Sequence, residues 1–536
     1  MIFDYKKYFP FEIERKEQTQ AINFALDTFI TKNKKYVILE APTGIGKSGI
    51  AITISRYLKS IYEDNELIKP GSYIITPQKI LQKQYADEFE DVVNIWAKTN
   101  YICTQNHSQK ISCQMGQWIN SFSRSEKGKA IYNTNCPYKV DKKLFIDSDI
   151  GLTNVQFLLN SIAYTDTIKK RQLLVVDEAH GLEDSLIEFV AMNFNGPEIE
   201  QELEINWMQC NENTKIEDFV KWIATIYRPT LINKFNELKE KIDLQFTTNK
   251  VNNTLLYKYD EYDRVICQTN RCLSNFSPRN WVMSVNNDTQ TVVLKPIFAS
   301  DFSMPSLFNF ASDKVLLMTG TVLDKNIFCN NLGIKPEDSE FLSLDSSFPK
   351  ENRPIIFFPV GSMSYKNIDK TLPDMAIAVK ELLKEHKNDK GIIHTNNFRI
   401  AKYLYNTLKD KRLLIHDASN RQEILDHHTK SKDNTVLISP SMTEGIDLFE
   451  DLSRFQIICK VPFPFLGDKY IKEKMNRIKG WYDWQCAKTI MQGCGRSVRS
   501  IDDTAKTYIL DSDFNAFFNR NKNLFPKWWK DSIQNV

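Results

Sequence analysis

Apolar residues recur along this chain in two rhythms. Short unbroken runs, such as Tyr36-Val37-Ile38-Leu39, Tyr73-Ile74-Ile75, Leu173-Leu174-Val175-Val176 and Val315-Leu316-Leu317-Met318, read as buried strands. Between them apolar positions fall at helical spacing, as at Ala21, Phe24, Ala25 and Phe29, across 50–58, and at Ile80, Leu81 and Tyr85. The alternation returns after residue 350, with strands expected at 391–395, 412–416, 435–439, 455–461 and 506–510. Strands alternating with helices predict an α/β fold, with a parallel sheet in the second block. Residues 181–310 break the rhythm. Strand signals there are weak, and polar helical stretches cover 218–227 and 231–242, so the segment reads as an added, mostly helical domain.

The first run leads into Glu40-Ala41-Pro42-Thr43-Gly44-Ile45-Gly46-Lys47-Ser48 and then the helical segment. Strand, glycine-bearing loop, Lys-Ser and helix form a phosphate-binding loop. Gly44 and Gly46 let the backbone curl so that its N–H groups converge on phosphate oxygens. The helix N-terminus adds partial positive charge at the same place. Lys47 suits the outer phosphates, and the Ser48 hydroxyl suits Mg²⁺. Ala41 stands where the strict pattern has glycine, which matters little because the turn is made further on.

Other strand ends carry chemistry. Leu173 to Val176 ends on Asp177-Glu178-Ala179-His180. Asp177 can complete the Mg²⁺ coordination begun at Ser48, and Glu178 can orient and deprotonate an attacking water. Gln18, just upstream of the loop, has an amide able to pair with an adenine edge. Thr76 ends a strand before a helix, where a nucleic-acid phosphate can sit. Thr319 and Thr321, after the strand at 315–318, could join a nucleotide site to a nucleic-acid site by hydrogen bonds. In the second block, Ser441 to Asp447 follows a strand, and Gln492 to Arg499 falls on or before a helix. Arg496 and Arg499, three apart, can aim two planar guanidiniums at one transferring phosphoryl group.

Composition adds limits. The 536 residues are 42% hydrophobic and 26% charged, a globular composition with room for three or four domains. The net charge of +3 neither demands nor excludes a polyanion, so any nucleic-acid surface is local. The N-terminus lacks an apolar signal core, and no run of about 18 apolar residues is present. We therefore expect no membrane partner and an intracellular protein, cytoplasmic, nucleoid-associated or nuclear. The ten scattered cysteines are then thiols or metal ligands rather than disulfides. Cys267 and Cys272 read as structural thiols. Residues 96–145 interleave aromatics with lysines and hold Cys103, Cys113 and Cys136. That mix suits base stacking with phosphate neutralisation, a small metal-stapled module, or small buried thiols.

The order of Gln18, Ala41 to Ser48, Asp177 to His180, Met318 to Thr321, Ser441 to Asp447 and Gln492 to Arg499 resembles a superfamily-two helicase. The Ala-Pro-Thr-Gly-Ile-Gly-Lys-Ser loop, Glu444-Gly445-Ile446-Asp447, Val461-Pro462-Phe463-Pro464, Asn100 to Cys103 and Cys136-Pro137-Tyr138 resemble its XPD/DinG branch. The resemblance implies two RecA-like parallel-sheet domains with ATP and Mg²⁺ between them. The first would comprise 1–98, 146–180 and 311–345, the second 346–536. A small iron–sulfur domain would occupy 99–145 and an arch-like insertion 181–310. It also implies an ATP-dependent DNA helicase moving 5′ to 3′ on single-stranded or forked DNA. Asp447 and Gln492 would then serve the ATP site, with Glu444, Thr76, Thr319 and Thr321 on the nucleic acid. The family's 4Fe–4S cluster uses four cysteines, whereas Gly116 stands at the fourth position here. Three outcomes stay open: a cluster on Cys103, Cys113, Cys136 and another ligand such as His107, a lost cluster, or zinc. Rival readings are an ATP-driven latch without movement and a motor on RNA or DNA–RNA hybrids.

Overall fold

The computed structural model of the chain describes residues 3–63, 67–104, 111–122, 136–164, 167–247, 253–417, 419–441, 448, 450–494, 498 and 503–535. The unbroken apolar runs are strands buried on both faces, as in a sheet covered by helices on both sides. In the first half these are β1 (Tyr36–Glu40), β2 (Lys69–Thr76), β3 (Val92–Asn94), β4 (Ile150–Asn154) and β5 (Arg171–Asp177). The insertion then contributes β6 (Met192–Asn195), β7 (Trp281–Asn286) and β8 (Thr291–Pro296). The chain returns with β9 (Ser312–Thr319) and β10 (Ser339–Ser343). Seven of them pair in the order β10-β1-β9-β5-β2-β4-β3, every neighbour parallel.

The second half forms another all-parallel sheet. It holds β11 (Ile355–Gly361), β12 (Gly391–His394), β13 (Leu413–Ile415), β14 (Val436–Ser439), β15 (Phe455–Ile458), β16 (Lys506–Asp511) and β17 (Ile533–Asn535), in the order β13-β14-β12-β15-β16-β11-β17. Two RecA-like parallel sheets are thus present, as the resemblance implies.

The insertion departs from the expectation in one respect. Its helices Arg228–Thr247 and Asn253–Asn275 pack together, but β6, β7 and β8 also form an antiparallel sheet. Helix Cys113–Phe122 lies against this insertion: the Trp118 indole donates to Asp260 Oδ1 at 2.8 Å, and its ring meets Tyr259 edge-on. No helix among the described residues is long and apolar enough to cross a membrane.

Two buried charges tie distant segments to the first sheet. Glu40, at the tip of β1, accepts from the backbone N–H groups of Val322 (2.8 Å) and Leu323 (2.7 Å) and from the Ser343 hydroxyl (2.6 Å). It thus pins the chain leaving β9 and the end of β10 beside the phosphate loop. Arg171, at the start of β5, is fully buried over the Tyr73 ring. Its guanidinium donates to the carbonyls of Ser72 (2.6 Å) and Phe145 (2.9 Å), and so staples helix Pro137–Asp147 to the sheet. Arg171→Met should cost about 2–4 kcal/mol, because each buried carbonyl left without its donor costs roughly 1–3 kcal/mol. Denaturant unfolding checks this; an unchanged midpoint would contradict it.

Candidate active site

The phosphate loop runs from β1 into helix Lys47–Ser60. Gly44 and Gly46 lie at φ +81° and +82°, the left-handed region where a side chain is strained. A Cβ on Gly44 would also strike the ring of Phe348, a residue of the crossing between the sheets. The Gln18 amide braces this turn: its Oε1 accepts from the Arg15 N–H at 2.9 Å, and its Nε2 donates to the Gly46 carbonyl at 3.4 Å. The Arg15 guanidinium donates to the Gly44 carbonyl.

β5 delivers the two carboxylates to the same place. Glu178 sits at φ 52°, a left-handed conformation that turns the chain sharply at the strand tip. Its Oε1 is 3.1 Å from Lys47 Nζ, and its Oε2 is 3.3 Å from His180 Nδ1. Asp177 is buried; its Oδ2 accepts from the Tyr85 hydroxyl at 3.1 Å and its Oδ1 from the Glu178 N–H at 3.0 Å. Thr43, Gly44, Lys47, Ser48, Asp177 and Glu178 line one open cleft of about 1180 Å³, with Gln18 at its edge. Ser48 donates to Glu88 Oε2 at 3.4 Å across it.

The two carboxyls are driven apart in acidity. Burial raises Asp177 to about 6, against the pull of Lys47. Burial also acts on Glu178, but Lys47 and His180 outweigh it and hold that carboxyl below the usual range, so it is ionised. Because the folded Asp177 pKa is raised, its contribution to stability is present below its ordinary value of 3.8 and is lost as pH rises through about 6. Asp177→Asn should therefore melt higher than the nucleotide-free parent at pH 8, by a few degrees, with the gap narrowing at pH 5. Melting curves at the two pH values check this; a gap independent of pH would contradict it.

The remaining expected site residues fall as follows. Ala41 is buried at the start of the loop and Ile45 in its core, while Pro42 lines a small cavity with Phe348 and Val498. Thr76, Thr319 and Thr321 are all buried. The Thr76 hydroxyl caps its own turn, accepting from the Gln78 N–H at 3.1 Å. Thr319 Oγ1 lies 2.9 Å from His180 Nδ1 and accepts from the Thr321 N–H at 3.3 Å, a bonded path from the acidic box to β9. Gln492 is buried near the end of helix Trp481–Cys494. Glu444, Asp447, Arg496, Arg499 and His107 lie outside the described residues. Val498 is described, and it packs with Phe348 and Ala505, which sets it beside the phosphate loop.

Cys103, Cys113 and Cys136 converge away from this cleft, in the apolar core beneath the insertion. Burial lifts the Cys113 thiol to about 11, with Cys136 and Cys103 adding to the shift. Among the described residues, no group of three or more His, Cys, Asp or Glu is placed to hold a metal ion. A 4Fe–4S cluster is thus not shown among the described residues. Cys272 is buried and Cys267 half-buried, both free thiols.

Sequence reasoning missed several partners. Tyr85 reads only as an apolar helix position, yet its hydroxyl meets Asp177. Glu88 and Phe348 carry no sequence signal at all, being distant charged and apolar residues brought in by folding.

A phosphate loop beside two all-parallel sheets is the arrangement of a RecA-like nucleotide-binding fold. The model of the helicase C-terminal domain matches residues 379–532, and that of the type III restriction enzyme res subunit matches 12–215. An XPD helicase structure superposes with a TM-score of 0.66 at 15% identity, covering 98% of this chain and all of its own. A probable ATP-dependent helicase of Methanocaldococcus jannaschii, MJ0942, is 22% identical over 95% of this chain and 93% of its own length. The ATP-dependent DNA helicase CHL1 of Saccharomyces cerevisiae is 23% identical over 65% of this chain. The chain spans 45% of that relative's length. The fold is thus the one that the XPD helicase structure shows, as the motifs imply.

Proposed function

We propose that this chain is an ATP-dependent DNA helicase that moves 5′ to 3′ on single-stranded DNA and opens forked duplex. The observation that carries the reading is the Lys47–Glu178 pair at 3.1 Å over the glycine turn, inside the open cleft. Lys47 and the loop N–H groups bind the triphosphate, displacing Glu178 from Lys47. Freed and ionised, Glu178 takes the proton of the attacking water. Ser48 and Asp177 would hold Mg²⁺, which supplies charge neutralisation at the phosphates. Arg496 and Arg499 come from the second domain, so hydrolysis requires the cleft to close. His180 passes the state of the cleft to Thr319 and onward to the strand-binding side. Thr76, Thr321 and Glu444 act on that side, and Gln492 and Asp447 act at the nucleotide.

The insertion around Cys103, Cys113 and Cys136 parts the duplex by its position beside the arch-like segment, with no cluster chemistry assigned. An intracellular, reducing setting accords with ten free cysteines. The domain limits given above, at 98, 145, 180, 310 and 345, belong to this reading.

Strand displacement on duplexes with a 5′ or a 3′ single-stranded tail tests it. Displacement should require ATP and a 5′ DNA tail. Displacement from neither tail would overturn the helicase reading, and displacement from the 3′ tail alone would overturn the polarity.

A further inference from the structure

Away from the nucleotide cleft, one buried ion pair crosses between the domains. Lys474, on helix Lys469–Arg477 of the second domain, is 1% exposed. Its ammonium donates to Glu183 Oε1 and to the Tyr470 hydroxyl at 3.1 Å, and it lies 5.0 Å from the centre of the Trp481 ring. Glu183 sits on helix Leu182–Val190, which begins directly after the acidic box. A second buried lysine, Lys488, on helix Trp481–Cys494, lies over the Trp484 ring. The Trp484 indole donates to the Val322 carbonyl at 2.8 Å, just past Thr321.

The connectivity gives these contacts meaning. Glu183 is five residues beyond Glu178. Lys488 lies one turn before Gln492, on the helix that runs toward Arg496. The pair therefore joins the backbone just past the catalytic carboxylate to helix Lys469–Arg477, which packs in turn on Trp481–Cys494, the helix that precedes the arginines in the chain. Stability does not explain it. Each buried charge loses several kcal/mol of hydration, and an apolar pair of similar volume is often as stable or more so. What a buried pair provides, and apolar packing does not, is a single allowed register, since any slip leaves a charge unpaired.

We propose that Glu183 and Lys474 are positioning residues for ATP hydrolysis, a buried charge latch that fixes the acidic-box helix against helix Lys469–Arg477 and, through its packing on Trp481–Cys494, the helix leading to the arginines. This rests on the ATPase reading above. The latch lines no part of the nucleotide cleft; it holds the register of the helices on either side of it. Disturbing it lowers kcat and spares ATP affinity, because Lys47, Ser48 and the glycine turn that grip the phosphates all belong to the first domain.

The test uses the full chain with single-stranded DNA, reading kcat and KM for ATP together with melting temperature. The double variant Glu183→Leu/Lys474→Met removes both charges and should melt at or above the parent temperature. Its kcat should fall about tenfold or more, with KM within about twofold. A kcat within fivefold of the parent, or a loss expressed in KM alone, overturns the proposal. Should the double variant fail to fold, Glu183→Asp keeps the charge and withdraws it by one methylene. It should lower kcat at unchanged KM, and parental kcat in that variant likewise overturns the proposal. If the parent chain itself hydrolyses no ATP, the ATPase reading fails instead.

Discussion

Glu178→Gln is expected to cut ATP turnover by about 10²–10⁴-fold, the usual worth of a positioned general base, while ATP affinity stays within about twofold. The substitution is nearly isosteric, so the turn at φ 52° and the hydrogen bond from the Glu178 N–H to Asp177 should survive. What is lost is the ionised oxygen that can accept a proton. Lys47 loses its carboxylate partner and becomes freer for phosphate, which argues against weaker binding. Single-turnover hydrolysis beside a fluorescent-nucleotide titration separates the two quantities. Turnover within tenfold of the parent would take the base role away from Glu178. A matched loss of affinity would make the residue a binding group instead.

Arg496→Ala and Arg499→Ala should each lower kcat by about 10³-fold or more, the scale for an arginine meeting transferring phosphate charge. Lysine should not rescue either position, because it offers a point charge in place of a planar fork. The expectation rests on their neighbours: Cys494 and Val498 line the same small cavity as Pro42 and Thr43 of the phosphate loop. The double variant should be little worse than either single one, as residues acting in one step are not additive. Steady-state hydrolysis at saturating ATP checks the loss. Turnover close to the parent in both single variants would leave the second domain without a part in hydrolysis.

Legibility in the sequence followed burial and locality. β1, β2, β5, β9, β12 and β14 are apolar on both faces, so they stand out as unbroken runs. β10 is only half-buried along most of its length, and β8 alternates between buried and half-buried positions, so neither rose above its surroundings. The phosphate loop was readable because its glycine conformations, its lysine and the following helix are consecutive in the chain. The Asp-Glu-Ala-His box was readable for the same reason. Glu40, Arg171, Tyr85 and Phe348 were not, since their meaning lies in distant partners. Glu40 bonds a backbone N–H 282 residues away, and Arg171 a carbonyl 99 residues away. The three cysteines suggested a ligand set from their window alone; the described residues bury them in one apolar core, and a metal group is not shown there.

The proposed function requires one cleft, served by both halves of the chain, to hydrolyse ATP in response to a single strand. Its most direct measurement is the ATP hydrolysis rate of the full chain with and without single-stranded DNA, alongside Glu178→Gln. The rate should be at least about tenfold higher with DNA and near zero in the variant under either condition. A rate indifferent to DNA, or preserved in the variant, would contradict it.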